Sequence, residues 1–372
     1  MRIGYAFWGF LGDNKYDSEG NKISTPDGNA FYSWSIIKAF QDRGDVVYAM
    51  MPDRDDPGVR INLRDNFSAW CLGPRVKVYN QMIDYDFDRM NVHHESIDMI
   101  LLEWRWLIDG RNNLELEGST NWQPDLKLRN QIIALANDND IPLVVFDLDY
   151  KLTEEDIKKF GIKYVIELGN KWKDSTLVKS KKVYIPFDFD YISEFSIRTD
   201  NFVNSLVYVG NRYERDWCID KYIPEDLEDC TIYGNWKESG RDSELRWSKL
   251  NFGDRLQTAD MYNVYSKSIA TILLAKKEYC EQQFMTARII ESVFYGCAPI
   301  FIEEYGNEVI EKYAGKYAKF LTVSSKDEVK DVINELKIDV QFRRNMILYL
   351  REHLKFMDSR IFVDDLVNLV EE

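Results

Sequence analysis

The sequence predicts an α/β protein of two domains, each built on a parallel sheet covered by helices. Three observations carry that prediction. The 372 residues fit two domains of ordinary size. Short apolar runs alternate with amphipathic stretches, which is the rhythm of βαβ units. The rhythm lapses over residues 187–204, and that lapse separates two series.

In the first series Arg2–Phe7 reads as a strand, followed by the turn Gly9-Phe10-Leu11-Gly12. A helix starts near Asp27, an N-cap residue type, and carries Phe31, Trp34, Ile37 and Phe40 to Arg43-Gly44. Val46–Met50, Met99–Leu102, Pro142–Asp147 and Tyr164–Leu168 are short apolar runs of buried-strand character. Leu126–Asn137 supplies a helix between two of them. In the second series strands fall at Leu206–Val209, Thr231–Tyr233, Ile269–Leu274, Ala298–Ile302 and Lys319–Val323. Helical spacing recurs at Arg215–Tyr222, Thr286–Tyr295, Lys326–Leu336, Gln341–Lys355 and Asp358–Val370. The expected division is an N-terminal domain over 1–190, a C-terminal domain over 191–355 and a closing helix over 356–372. Ligands are expected at the carboxyl ends of the strands.

Composition narrows the function. Hydrophobic residues at 45% and 52 aromatic side chains supply a full core and exclude disorder as the main state. The balance of 63 acidic against 48 basic residues, a net charge of −15, argues against nonspecific coating of nucleic acid. A local basic groove is compatible with it. Runs such as Ile269 to Ala275 are too short to span a bilayer, and Met1 to Ala6 reads as a strand rather than a signal peptide. Five cysteines without a CxxC pair read as reduced thiols of a cytoplasmic protein. Three histidines and no HExxH or Cys/His cluster give no basis for a zinc site.

Three stretches carry candidate chemistry. Gln282 to Glu291 places Arg288 and Glu291 three residues apart on one helix face. A guanidinium near a helix start, together with backbone N–H groups, suits a diphosphate. A carboxylate one turn later can accept both hydroxyls of a ribose. The ordinary alternative is an intrahelical ion pair. Val207 to Arg215 runs a strand into Gly210-Asn211 and then into Arg212 and Arg215, which could clamp phosphate. Thr231 to Trp236 repeats the pattern as a strand followed by Gly234-Asn235.

This order of features resembles the donor-binding half of GT-B glycosyltransferases. It is most similar to the DNA β-glucosyltransferases of tailed phages, through Phe284, Thr286, Arg288 and Glu291. The resemblance covers residues 206–304 well and the N-terminal half in outline; spore-maturation glycosyltransferases resemble it less closely. It implies two Rossmann-like domains facing across a cleft, with the final helix crossing back to the N-terminal domain. It implies Arg288 on the donor pyrophosphate, Glu291 on the ribose, Arg212 and Arg215 on the leaving diphosphate, and Gly210, Asn211, Gly234 and Asn235 lining the nucleotide pocket. Gln283 stands where many retaining members have a glutamate, a departure from that subtype.

The resemblance further implies a UDP-sugar donor, no tightly bound metal and a location in the host cytoplasm if phage-encoded. The favoured acceptor is 5-hydroxymethylcytosine in double-stranded phage DNA. A protein, lipid or polysaccharide acceptor, or a non-catalytic nucleotide-sugar-binding protein, is the alternative. The expected base is Asp147 or Asp149, at the end of the strand Val144-Val145-Phe146. Side chains two apart on a strand share a side, and paired carboxylates raise one pKa. The ordinary alternative is a solvated strand end. Lys171 to Lys182, with Trp172, reads first as a solvated basic loop and second as a DNA contact. Trp104 and Trp106 read first as packing and second as an acceptor stack, His93-His94 as surface, and residues 51–56 as a solvated acidic turn.

Overall fold

The computed structural model describes residues 1–6, 15–16, 22–23, 29–50, 83–85, 97–104, 122–148, 150–190, 195–227, 229–236, 246–256 and 258–371. The chain divides into two compact units, Met1–Phe187 with Ser359–Glu372, and Asp188–Asp358.

The first unit contains strands β1 (Arg2–Ala6), β2 (Lys15–Tyr16), β3 (Lys22–Ile23), β4 (Val46–Met50), β5 (Ile83–Tyr85), β6 (Met99–Glu103), β7 (Leu143–Asp147), β8 (Tyr164–Glu167) and β9 (Lys179–Lys182). Its helices are α1 (Asn29–Asp42), α2 (Trp122–Asp138) and α3 (Glu154–Phe160). Seven strands form one parallel sheet in the order β5-β4-β1-β6-β7-β8-β9, while β2 and β3 pair separately as an antiparallel ribbon. β6 and β7 are buried along their whole length, as strands covered on both faces must be. Alternation sorts their side chains. Leu102 and Val145 join Ile132, Ile133, Leu152 and Trp172 on one face. Phe146 turns to the other, against Tyr32 of α1. α3 follows a Thr153/Asp156 capping box and ends at Gly161 in the left-handed region, which explains its sharp limits. β9, nearly all lysine, lies at the sheet edge, where charge opposes further strand pairing.

The second unit contains β10 (Asn204–Val209), β11 (Cys230–Tyr233), β12 (Asn251–Gly253), β13 (Ser268–Leu273), β14 (Ala298–Ile302) and β15 (Thr322–Val323). Its helices are α4 (Asp216–Tyr222), α5 (Thr258–Ser266), α6 (Lys277–Glu281), α7 (Arg288–Phe294), α8 (Asn307–Ala314), α9 (Ala318–Leu321), α10 (Lys326–Ile338) and α11 (Val340–His353). The parallel sheet runs β12-β11-β10-β13-β14-β15. β10, β13 and β14 have no exposed position. The strand expected over Lys319–Val323 is corrected to the helix α9 followed by the short β15. Ala318 and Leu321, three apart, are both buried while Lys319 is exposed, so the segment obeys the helical period.

The last helix, α12 (Ser359–Glu371), belongs to the first unit although the second precedes it in the chain. Phe362 packs on Phe146 with ring centroids 5.4 Å apart, and Lys181 of β9 pairs with Asp365 at 3.0 Å. No described helix is long and apolar enough to cross a membrane.

Candidate nucleotide site

β10 is flanked by β11 on one side and β13 on the other, so the chain reverses its direction of travel across the sheet at β10. That reversal opens a ligand position at the carboxyl ends of the strands. Two glycine turns are locked together there. The Gly210 N–H donates to the Tyr233 carbonyl at 2.9 Å, and the Gly210 carbonyl accepts from Trp236 Nε1 at 2.8 Å. Gly234 holds φ at +141°, and a Cβ on it would strike the Gly210 carbonyl oxygen. A Cβ on Gly210 would lie 2.5 Å from both Arg288 Nη2 and the Tyr208 hydroxyl. Both glycines are therefore dictated by close approach.

Asn235 is buried, and its Oδ1 accepts from the Arg212 backbone N–H at 2.8 Å, tying the two turns together. Arg212 grips Asp216 through Nε at 2.7 Å and Nη2 at 2.6 Å and lies over Trp247. Arg215 is only 4% exposed; its Nη1 donates to the carbonyls of Asn211 and Tyr213 and so shapes the loop from inside. Asn211 contributes its backbone carbonyl to that contact.

Arg288 and Glu291 both sit half-buried on α7. They form no ion pair with each other among the described contacts, so the simple intrahelical pair is not what these residues make. Arg288 instead donates through Nε to the Val209 carbonyl at the end of β10 and through Nη1 to Thr286 Oγ1 at 3.2 Å. Desolvation pushes Glu291 up to about 7, while the Arg288 charge pulls it down. The N–H groups of Ile289, Ile290 and Glu291 donate to the carbonyls of Thr286 and Ala287.

The structure adds three side chains that no motif revealed. The hydroxyls of Tyr208, Tyr265 and Tyr305 are buried without a hydrogen-bond partner. The Arg288 guanidinium carbon lies 5.4 Å from the Tyr208 ring centroid. Isolated tyrosines among 22 give no spacing signal.

In the first unit, Asp147 is fully buried. Its Oδ1 accepts from the backbone N–H groups of Lys151 and Leu152 at 2.9 and 3.2 Å, and Oδ2 accepts from Trp172 Nε1 at 2.9 Å. Burial raises it to about 6, against the pull of Lys171 and these donors. Asp149, His93, His94, Trp106 and residues 51–56 lie outside the described residues. The nucleic-acid option for Trp172 is corrected: the ring is 4% exposed within the core, and Lys171 donates to the carbonyls of Tyr150 and Leu152. Trp104 is likewise a core side chain, beneath the Arg129 guanidinium. Glu103, at the carboxyl end of β6, is a buried carboxylate that accepts from Tyr5 at 2.6 Å and Ser33 at 3.2 Å.

No group of three potential metal ligands occurs among the described residues. Among the described residues around β10, Glu291 and the Arg212-paired Asp216 stand with three arginines, which offers a divalent cation no cluster of ligands.

No family model and no curated protein matches this sequence. Solved structures do. A DNA-modifying β-glucosyltransferase, solved with and without uridine diphosphoglucose, superposes with a TM-score of 0.64 at 15% identity, over 100% of both chains. An α-glucosyltransferase in complex with UDP and a 13-mer DNA containing an HMU base gives 0.62 at 12% identity, also over 100% of both chains. An Anabaena protein in complex with UDP-glucose gives 0.56 at 11% identity, over 100% of this chain and 99% of that one. A T4 phage β-glucosyltransferase, similar to this chain at 14% identity, was solved with UDP and Mn2+. The chain has the GT-B fold of these glucosyltransferases, the fold that the resemblance of its motifs implies.

Proposed function

We propose that this protein is a glycosyltransferase that moves a sugar from a UDP-sugar to a hydroxyl acceptor. The observation that carries the reading is the disposition of Arg288. It is a half-buried guanidinium at the carboxyl end of β10 that makes no ion pair among the described residues, beside Glu291 and the Gly210 turn. A cation held in that position is a receptor for an anion. Arg288 would meet the diphosphate and Glu291 the ribose hydroxyls. Arg215 would shape the loop and add positive field, and Arg212 would lie beside it.

The reaction is a displacement at the anomeric carbon. A base takes the proton of the acceptor hydroxyl, the new O–C bond forms, and the bond to the diphosphate breaks with its electron pair leaving on UDP. The arginines stabilise that leaving charge. Both Asp147 oxygens are engaged, Oδ1 by the loop that follows β7 and Oδ2 by Trp172 after β8, so we assign the base to Asp149. No step is routed through a metal.

For the acceptor we favour 5-hydroxymethylcytosine in duplex DNA, supported by the fold likeness to enzymes solved as DNA-modifying or with DNA. The net charge of −15 favours the second reading, a non-DNA hydroxyl acceptor. The test mixes the protein with pooled UDP-sugars and duplex DNA containing 5-hydroxymethylcytosine, then reads free UDP and digested nucleosides by mass spectrometry. A heavier nucleoside, lost in Asp149→Asn, is the expected result. UDP release without it would move the acceptor elsewhere, and silence in both channels would overturn the enzyme assignment.

A further inference from the structure

We infer that Tyr208, with Tyr265 and Tyr305, forms a neutral hydroxyl bed that holds the Arg288 guanidinium in place and unpaired, ready for the donor diphosphate. The inference rests on the donor reading above and assigns positioning residues that no motif marks. A buried guanidinium is ordinarily matched by a carboxylate, because an unmatched charge is costly to desolvate. Arg288 hydrogen-bonds to neutral acceptors instead, the Val209 carbonyl and Thr286 Oγ1, with Glu291 within electrostatic reach and outside ion-pair distance. Its guanidinium also lies against the face of Tyr208.

The second observation is independent of the arginine. Three phenol hydroxyls, from β10, from α5 and from the turn after β14, are buried without a partner. Each such group costs folding free energy, and three around one cation call for a reason. The Tyr208 hydroxyl and Arg288 Nη2 lie within 2.5 Å of one point beside Gly210, so the phenol oxygen flanks the guanidinium edge. Tyr265 and Tyr305 lie within electrostatic reach of the same guanidinium. Their oxygens carry partial negative charge that stabilises the cation without neutralising it. An aspartate in place of any of them would pair with Arg288 and compete with the diphosphate.

This arrangement gives the three phenylalanine substitutions an unusual signature. Tyr208→Phe, Tyr265→Phe and Tyr305→Phe keep the rings and remove only the orphaned hydroxyls, so the urea midpoint should hold or rise. The affinity for UDP should nevertheless fall, by about tenfold in Tyr208→Phe, the scale on which a misplaced positioning group is felt. Affinity for uridine, which lacks the diphosphate, should stay unchanged. Calorimetric titration of wild type and variants with UDP and with uridine reads both. An unchanged UDP-to-uridine ratio in all three variants, or a ratio that falls only in step with the urea midpoint, would overturn the inference while leaving the donor site intact. A wild-type protein that binds UDP no better than uridine would instead sink the donor reading, and the inference with it.

Discussion

At the scale of single residues, desolvation pushes two carboxylates up, Asp147 to about 6 and Glu291 to about 7, and to different ends. On the proposed donor reading Glu291 accepts two ribose hydroxyls as a carboxylate, and desolvation pushes it up to about 7. Donor affinity should therefore tighten as pH rises from 6 to 8, and binding should release protons. Titrations of UDP in buffers of different ionisation enthalpy would show both, and Glu291→Gln should flatten the profile. A pH-independent affinity would remove Glu291 from the ribose. Asp147 has the opposite consequence for the fold. Its folded value of about 6 lies above the unfolded 3.8, so its contribution to stability is complete below pH 3.8 and is lost as pH rises through 6. Asp147→Asn should erase that slope. It should also cost roughly 1–3 kcal/mol, because an amide cannot accept from three donors through both of its ends. Chemical unfolding across pH 4–8 measures this, and a variant that folds normally yet makes no product would return the base role to Asp147.

At the scale of elements, α7 is short and takes its definition from its surroundings. Arg351 of α11 donates to the carbonyls of Val293 and Phe294 at its end and to that of Phe195, closing acceptors that the helix leaves open. Arg351→Met would remove the guanidinium that the carbonyls of Val293, Phe294 and Phe195 share, an expected loss of about 1–3 kcal/mol in urea unfolding. The same dependence explains what could be read in advance. β4 and β14, continuous apolar runs, were legible to the residue. β9 was not: Lys-Ser-Lys-Lys has no apolar signature, and it is a strand because β8 offers it an edge. α9 hid for the converse reason, since Phe320, Leu321 and Val323 look strand-like until Ala318 and Leu321 are seen buried together. Arg288 and Glu291 stood out as candidates because helical spacing and a position before a glycine turn and strand coincide in the sequence. The tyrosine bed was not, because its members meet only in three dimensions.

At the scale of the whole molecule, the fold class was readable from the double βαβ rhythm, while the acceptor was not, because net charge is a sum and recognition is local. The first unit depends on α12 for closure. Phe146 of β7 lies between Tyr32 of α1 and Phe362 of α12. Phe362→Ala should cost about 3–5 kcal/mol, the usual range for an emptied aromatic site, with the loss confined to the transition of the first unit. A two-step urea profile in which only that transition moves is the expected result; a shift in both would show the units to be one cooperative body.

The late return of α12 also bears on synthesis at the ribosome. Domains usually fold in the order in which they emerge, and here that order is inverted. The strands of the first unit are made first, yet the helix that covers their sheet is translated only after the whole second unit. The second unit can be finished while the first still waits with its apolar face uncovered. A message cut short between codons 358 and 359 would release a chain with its second unit whole and its first unit lacking α12.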